Sequence, residues 1–220
     1  MVEPPAQLVL ACQQIVDCLV ESVLSGEESN VRNEKSRANA SLGASRRIVA
    51  CLTTLYLFAK IRPQLLVEHV QTLQPYLQVQ CQTQGDFQII SNVARTLELS
   101  VPLIRHPSEI FLAQLEEDAV KLILQHDKKV VSACLSCLGS IVNNVTRNFG
   151  LIRDCFGKYF GQMSKYRLFH ESNPDDPRCK DRKTLATFRR ALFTVSSLLR
   201  HFDFKEEALY SGLKVIFDSG

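Results

Sequence analysis

Apolar side chains recur at intervals of three and four residues along almost the whole chain. Leu185, Phe188, Leu192, Val195, Leu199 and Phe202 form one such series, as do Ile90, Val93, Leu97, Val101 and Ile104, and a shorter one is Leu112, Leu115, Ala119 and Leu122. Steps of three and four keep side chains on one face of an α-helix, whereas a half-buried strand needs alternation at every second residue. No stretch sustains that alternation. The pattern predicts helices over 6–24, 45–61, 64–77, 86–105, 108–125, 128–147, 149–167, 183–201 and 204–217.

The residues between these stretches agree. Ser45 and Ser108 are placed to cap the helices that follow them, since a serine oxygen accepts from the free amides of a first turn. Pro63 marks a break after the helix ending near Ile61, and Pro102 predicts a kink or an early end. Taken in pairs, the helices form units that begin near residues 45, 86, 128 and 183, so the separations are 41, 42 and 55. Two helices every 40–47 residues or so is the period of HEAT and armadillo arrays. The expected fold is therefore all-α, a HEAT-repeat α-solenoid of about four helical pairs. Residues 1–44 read as an N-terminal helix followed by a polar linker from Ser25 to Ala44, and residues 45–220 as the array. A loop insertion at 168–182 carries Asn173-Pro174-Asp175-Asp176-Pro177, whose two prolines and two aspartates suit a surface loop. The ending Phe217-Asp218-Ser219-Gly220 follows an apolar helix without a polar cap, which reads as a piece of a longer array.

Composition supports helices over sheets. Only 9 Gly and 8 Pro occur in 220 residues, few for a chain that needs many hairpin turns, and the 45% of hydrophobic residues is ample for a core. The formal charge of +3 conceals an asymmetry. Residues 128–200 hold 14 Lys and Arg against 5 Asp and Glu, a balance of +9, so the rest of the chain carries −6. A basic half hints at a polyanion or an acidic partner, or is simply a lopsided solvated surface. The eight cysteines lie mostly within apolar helical patterns, and no secretory signal pattern precedes them, which favours reduced, buried thiols. The longest uncharged run, Val130 to Thr146, contains Ser, Asn and Thr and does not predict a membrane span.

Candidate chemistry is sparse. Cys134-x-x-Cys137 has metal or redox spacing, but no second such pair completes a four-ligand set, and both cysteines fall on an apolar stripe with Leu138, Ile141 and Val145. Core packing is the expected role. His69, His106, His126, His170 and His201 are scattered, and no GxSxG elbow, Walker loop or GxGxxG motif is present, so an enzyme is not expected and no metal or cofactor is. In Glu116-Glu117-Asp118, Glu117 can pair with Lys121 across one helical turn; the run reads as a wet face or as a docking patch for a basic partner. The basic cluster Lys180, Arg182, Lys183, Arg189, Arg190 and Arg200 leads into and along the helix at 183–201. On the register of Leu185 through Phe202, Arg189, Arg190 and Arg200 lie off the apolar stripe and are expected to project outward. Such a face can hold duplex phosphates without reading bases, or an acidic partner, or only water. Arg200, near the helix end, has the alternative role of bonding free carbonyls.

Four strings carry a family resemblance: RRIVACLTTLYLFAKIRPQLLVEHVQTLQPYL (46–77), HPSEIFLAQLEEDAVKLI (106–123), CLSCLGSIVNNVTRNF (134–149) and RRALFTVSSLLRHFDF (189–204). Together and in this order they resemble the C-terminal HEAT-repeat region of the Nipped-B-like cohesin loaders. The segments before residue 45 and around 168–183 look least like that family. The resemblance implies a non-enzymatic nuclear protein on chromatin, acting in cohesin loading, sister chromatid cohesion, the cell cycle and transcription regulation. It implies as partners double-stranded DNA and the cohesin complex, through the SMC ATPase heads and the kleisin, with ATP hydrolysis belonging to cohesin. The family's TPR-type companion is expected to bind elsewhere on the full protein. A HEAT scaffold contacting proteins only, such as a transport or trafficking adaptor, is the alternative.

Overall fold

The computed structural model describes residues 4–31, 37–80, 82–123 and 127–203, with backbone alone for 26–31 and 37–45. His126 and the predicted helix at 204–217 lie outside the described residues. Those described form helices and turns, with no strand among them. In chain order they are α1 (Ala6–Val31), α2 (Arg37–Ile61), a segment of 3₁₀ turns over 63–78 enclosing the short α3 (Val70–Leu73), α4 (Gln84–Ser100), α5 (Glu109–Leu122), α6 (Lys128–Ile141), α7 (Phe149–Ser172) and α8 (Arg182–His201).

Helix starts are set by side chains that satisfy the free amides of the first turn. Thr83 and Asp86 form a capping box at α4: the Asp86 amide donates to Thr83 Oγ1 at 3.3 Å, and the Thr83 amide donates to Asp86 Oδ2 at 2.7 Å. Asp127 accepts from the amides of Lys129 and Val130 at the start of α6. Ser108 stands at the expected start of α5, where its carbonyl accepts from the Leu112 amide, but its hydroxyl makes no capping bond. Ser45 does not stand at a helix start, because α2 begins eight residues earlier at Arg37. Helix extends from both sides into the stretch expected to be polar linker, as α1 runs to Val31. Breaks occur where proline requires them: α2 ends at Ile61 before Pro63, and α4 ends at Ser100 before a single 3₁₀ turn that contains Pro102.

The pairing of helices is displaced by one from the sequence expectation. α1 packs on α2, the 63–78 segment on α4, α5 on α6 and α7 on α8, giving four helical pairs. The four second members, α2, α4, α6 and α8, then lie side by side as one layer. The short connections do not join the members of a pair. Those connections, at Arg62, at 104–108 and at 147–148, are corners that pass the chain to the next pair. The corner after α6 is the sharpest: a π-helical turn over Val142–Thr146 is followed by Arg147 in the left-handed region (φ 54°, ψ 24°). The helix predicted to run to residue 147 thus changes at Ile141 from α to a π-helical turn that continues to Thr146.

Two groups of buried side chains meet at α6. Val130, Ala133, Cys134, Cys137 and Ile141 face the group built by α1, α2, 63–78, α4 and α5, whereas Val131, Leu135, Leu138 and Val142 face α7 and α8. Cys134 and Cys137 are core residues, as expected, each only 1% exposed. Burial pushes the Cys137 thiol well above its ordinary pKa. Gly139 admits α8 closely: a Cβ there would lie 3.3 Å from His201 Cβ. α1 over Ala6–Ser25 is long and apolar enough, by length and composition, to cross a membrane. Yet its Val16, Val20 and Val23 are buried in the core, and Asp17 accepts from the His69 ring at 2.8 Å.

Leu138 is fully buried and belongs to the α6–α7–α8 group. Leu138→Ala is expected to destabilise the protein by roughly 2–5 kcal/mol, read as a lower denaturation midpoint at unchanged slope in urea.

Candidate functional site

The basic cluster is carried by the turn at 177–180 and by α8, and both are held in place by specific bonds. Asp176 accepts from Arg178 Nη2 at 2.7 Å, and the Arg178 guanidinium lies 4.9 Å from the Phe169 ring centre on α7. Cys179 is buried, its thiol donating to the Asn173 carbonyl and its own carbonyl accepting from the Tyr166 hydroxyl, both at 3.2 Å. The Tyr166 ring stacks on Phe188 of α8 at 4.4 Å. The expected insertion is therefore a short, anchored turn, since helix α7 continues to Ser172. Asp181 then caps α8, accepting from the Thr184 amide at 2.9 Å and the Thr184 hydroxyl at 3.0 Å. These bonds from Thr184 hold the Asp181 carboxyl below its ordinary pKa, and the bonds from Arg178 do the same for Asp176.

α8 is rotated from the predicted register. Its buried side chains are Ala191, Thr194, Val195 and Leu198, with Phe202 just beyond the helix, whereas Leu192 and Leu199 are 45% and 52% exposed. The apolar arc of this helix is wide, and the core took its Ala191–Leu198 side because small residues let α8 approach α6 and α7. At about 100° per residue, the buried face and Arg189 are roughly opposite, and Arg182 and Arg200 fall within about 20° of Arg189. These three arginines are exposed and form one row, which spans about 27 Å from Arg182 to Arg200 at 1.5 Å per residue. Lys180 and Lys183 are exposed beside its start. None of these five cations has an ion-pair partner among the described residues. Arg200 makes no carbonyl bond there either, so its outward reading holds over the structural alternative.

Arg190 departs from the expectation. About 100° round the helix from Arg189, it is half-buried, and its guanidinium donates to the Ile123 carbonyl at the end of α5. It also bonds the buried Tyr159 of α7, whose pKa burial raises against the opposing pull of this cation. Arg190 is thus a strut between α5, α7 and α8, the carbonyl-binding role considered for Arg200.

The acidic run divides in the same way. Glu117 pairs with Lys121 at 2.7 Å in solvent, as expected. Glu116 and Asp118 are buried and form no wet face or docking patch. Glu116 accepts from Thr146 Oγ1 and Asn148 Nδ2, which fixes the corner after α6, and Asp118 accepts from the amides of Gln74, Gln78 and Gln114. No group of three potential metal-binding side chains occurs among the described residues.

Sequence reasoning missed a groove beside Arg189. It has a volume of ≈ 600 Å³ and lies between the start of α6 and the outer side of α8, with Lys128, Val131, Arg189, Leu192 and Phe193 in its walls. The stripe of Leu185 through Phe202 predicts Leu192 on the buried face, and the high basic content from residue 128 onward is the available signal for Lys128.

Known proteins similar in sequence cover most of the chain. The Nipped-B-like proteins of human and mouse are each 49% identical to this chain over 205 residues, 93% of the chain. The chain belongs to the Nipped-B-like family over these residues. The Drosophila melanogaster Nipped-B protein is 40% identical over 205 residues, 92% of the chain. The chain spans about 7% of the length of the human and mouse relatives and 9% of the fly one. No protein-family model and no solved structure matches.

Because the folded pKa of Asp176 and of Asp181 lies below the ordinary carboxylate value, both stabilise the start of α8 at neutral pH and cease to do so as pH falls through their folded values. Amide exchange in the first turn of α8 is expected to lose protection selectively below about pH 4. Asp181→Ala is expected to produce the same local loss at neutral pH, with the centre of α8 unchanged.

Proposed function

We propose that this chain is a non-enzymatic scaffold segment of a cohesin loader, acting in the nucleus on chromatin, and that it grips duplex DNA beside the cohesin complex. The observation that carries this reading is the row of Arg182, Arg189 and Arg200 on the face of α8 opposite the core, with Lys180 and Lys183 beside its start. Kinship with Nipped-B-like proteins supplies the loading context, in which the partners are the SMC ATPase heads and the kleisin. ATP hydrolysis and its chemistry belong to those partners. A row of cations that form no ion pair among the described residues, with the Asp181 carboxylate beside its start, suits phosphates, because each phosphate neutralised releases condensed counterions irrespective of base sequence. Phe193 is an aromatic side chain beside the row, but with Lys128 over its ring and part of it packed on the core it offers no succession of stacking faces, so the duplex is the expected nucleic acid.

Arg190 has no part in this grip, as it is spent on Ile123 and Tyr159. With about four or five phosphate contacts, affinity for a short duplex is expected to fall roughly a hundredfold or more between about 50 and 200 mM salt. The triple variant Arg182→Glu, Lys183→Glu, Arg189→Glu is expected to lose binding and most of the salt slope, read by fluorescence anisotropy with circular dichroism as the folding control. Binding that is equally tight in the variant would overturn the DNA reading.

A further inference from the structure

We infer that the groove between the start of α6 and the outer side of α8 is a docking site for an acidic protein segment that carries a bulky apolar side chain. This goes beyond the DNA reading and does not depend on it. The groove, of ≈ 600 Å³, has an apolar floor made by Val131, Ala186, Leu192 and Phe193. Its cations are Lys128 and Arg189, with the Arg190 strut in the wall, and among the described residues no carboxylate lines it. Lys128 Nζ sits 6.0 Å from the centre of the Phe193 ring, so the charge stands directly over the floor. Leu192 leaves 45% of its surface in water.

Two chemical demands follow from this arrangement. Cations without carboxylates among them favour a negatively charged partner, and an exposed leucine beside a ring gains from burying apolar surface. Phosphates meet the first demand and not the second, since a duplex backbone brings nothing apolar to the floor. An acidic amphipathic segment meets both: its apolar side chain enters between Leu192 and Phe193 while its carboxylates reach Lys128 and Arg189. This is the helix-in-groove mode of recognition, with anchors one helical turn apart and charged flanks.

The test uses a fluorescent acidic amphipathic peptide of about 16 residues, with Leu and Phe anchors at i, i+4 and i+7. A second peptide has the anchors replaced by Ala. Fluorescence anisotropy is read with the full chain, with Leu192→Ser, with Arg189→Glu and with Arg182→Glu/Lys183→Glu. The anchored peptide is expected to bind the wild type, to lose about tenfold or more in affinity with Leu192→Ser and with Arg189→Glu, and to be unaffected by Arg182→Glu/Lys183→Glu. Duplex DNA is expected to show the reverse order, insensitive to Leu192→Ser and sensitive to the Arg182/Lys183 pair, so the two readings fail separately. The docking site is overturned if the anchored peptide does not bind the wild type, if the anchorless peptide binds equally well, if Leu192→Ser binds as wild type, or if sedimentation shows a dimer abolished by Leu192→Ser, which would assign the groove to a second copy of the chain. Leu192 is exposed, so its replacement leaves the fold intact, and circular dichroism checks this.

Discussion

Burial of α6 on both of its long sides is the constraint on which the rest of the structure depends. A helix that is apolar nearly all round has no face to give to water, so neighbours must close over it from several directions. Val130, Ala133, Cys134, Cys137 and Ile141 take up α4 and α5, and Leu135 and Leu138 take up α7 and α8. Small side chains make this possible: cysteine and alanine fill the tight side, and Gly139 lets the end of α8 come within contact distance. The CxxC spacing thereby finds its explanation in packing, since both thiols are buried in the core, where burial strongly disfavours the Cys137 thiolate.

Polar groups then decide how the chain turns around that helix. Glu116 and Asp118 are drawn inward because neutral amides and hydroxyls wait for them, so each buried carboxylate has hydrogen-bond partners on the segment it must hold. Glu116 fixes the corner that follows α6, and Asp118 ties α5 to the segment at 74–78. Arg190 performs the corresponding service for the cationic side of the structure, joining α5, α7 and α8 through one side chain. The arginines that remain outside, Arg182, Arg189 and Arg200, are the ones with no internal carbonyl or carboxylate to satisfy. The candidate binding face is thus made of side chains that internal hydrogen bonding has left over.

Much of this was legible beforehand. The helical class, the breaks at Pro63 and Pro102, the core role of Cys134 and Cys137, the pair Glu117–Lys121 and the exposure of Arg189 and Arg200 all follow from spacing and local chemistry, because each depends on residues within a turn or two. Less legible was anything set by a distant partner. Ser108 occupies the right position and leaves its hydroxyl unused, and the helices pair across the longer connections rather than the short ones.

The sequence by itself determined that this chain is a helical array with a basic second half, since period, breakers and charge are local properties that no neighbour can alter. Only the tertiary structure decided which part of a wide apolar arc is core. On α8 the apolar positions cover more of the circumference than the core can bury, so the register was set by how closely α6 and α7 approach. That choice placed Thr194 inside and Leu192 outside, turned Arg190 into a strut and left Arg189 beside a groove. A helix's own residues state how much apolar surface it carries, whereas the direction in which that surface is buried belongs to the helices that pack against it.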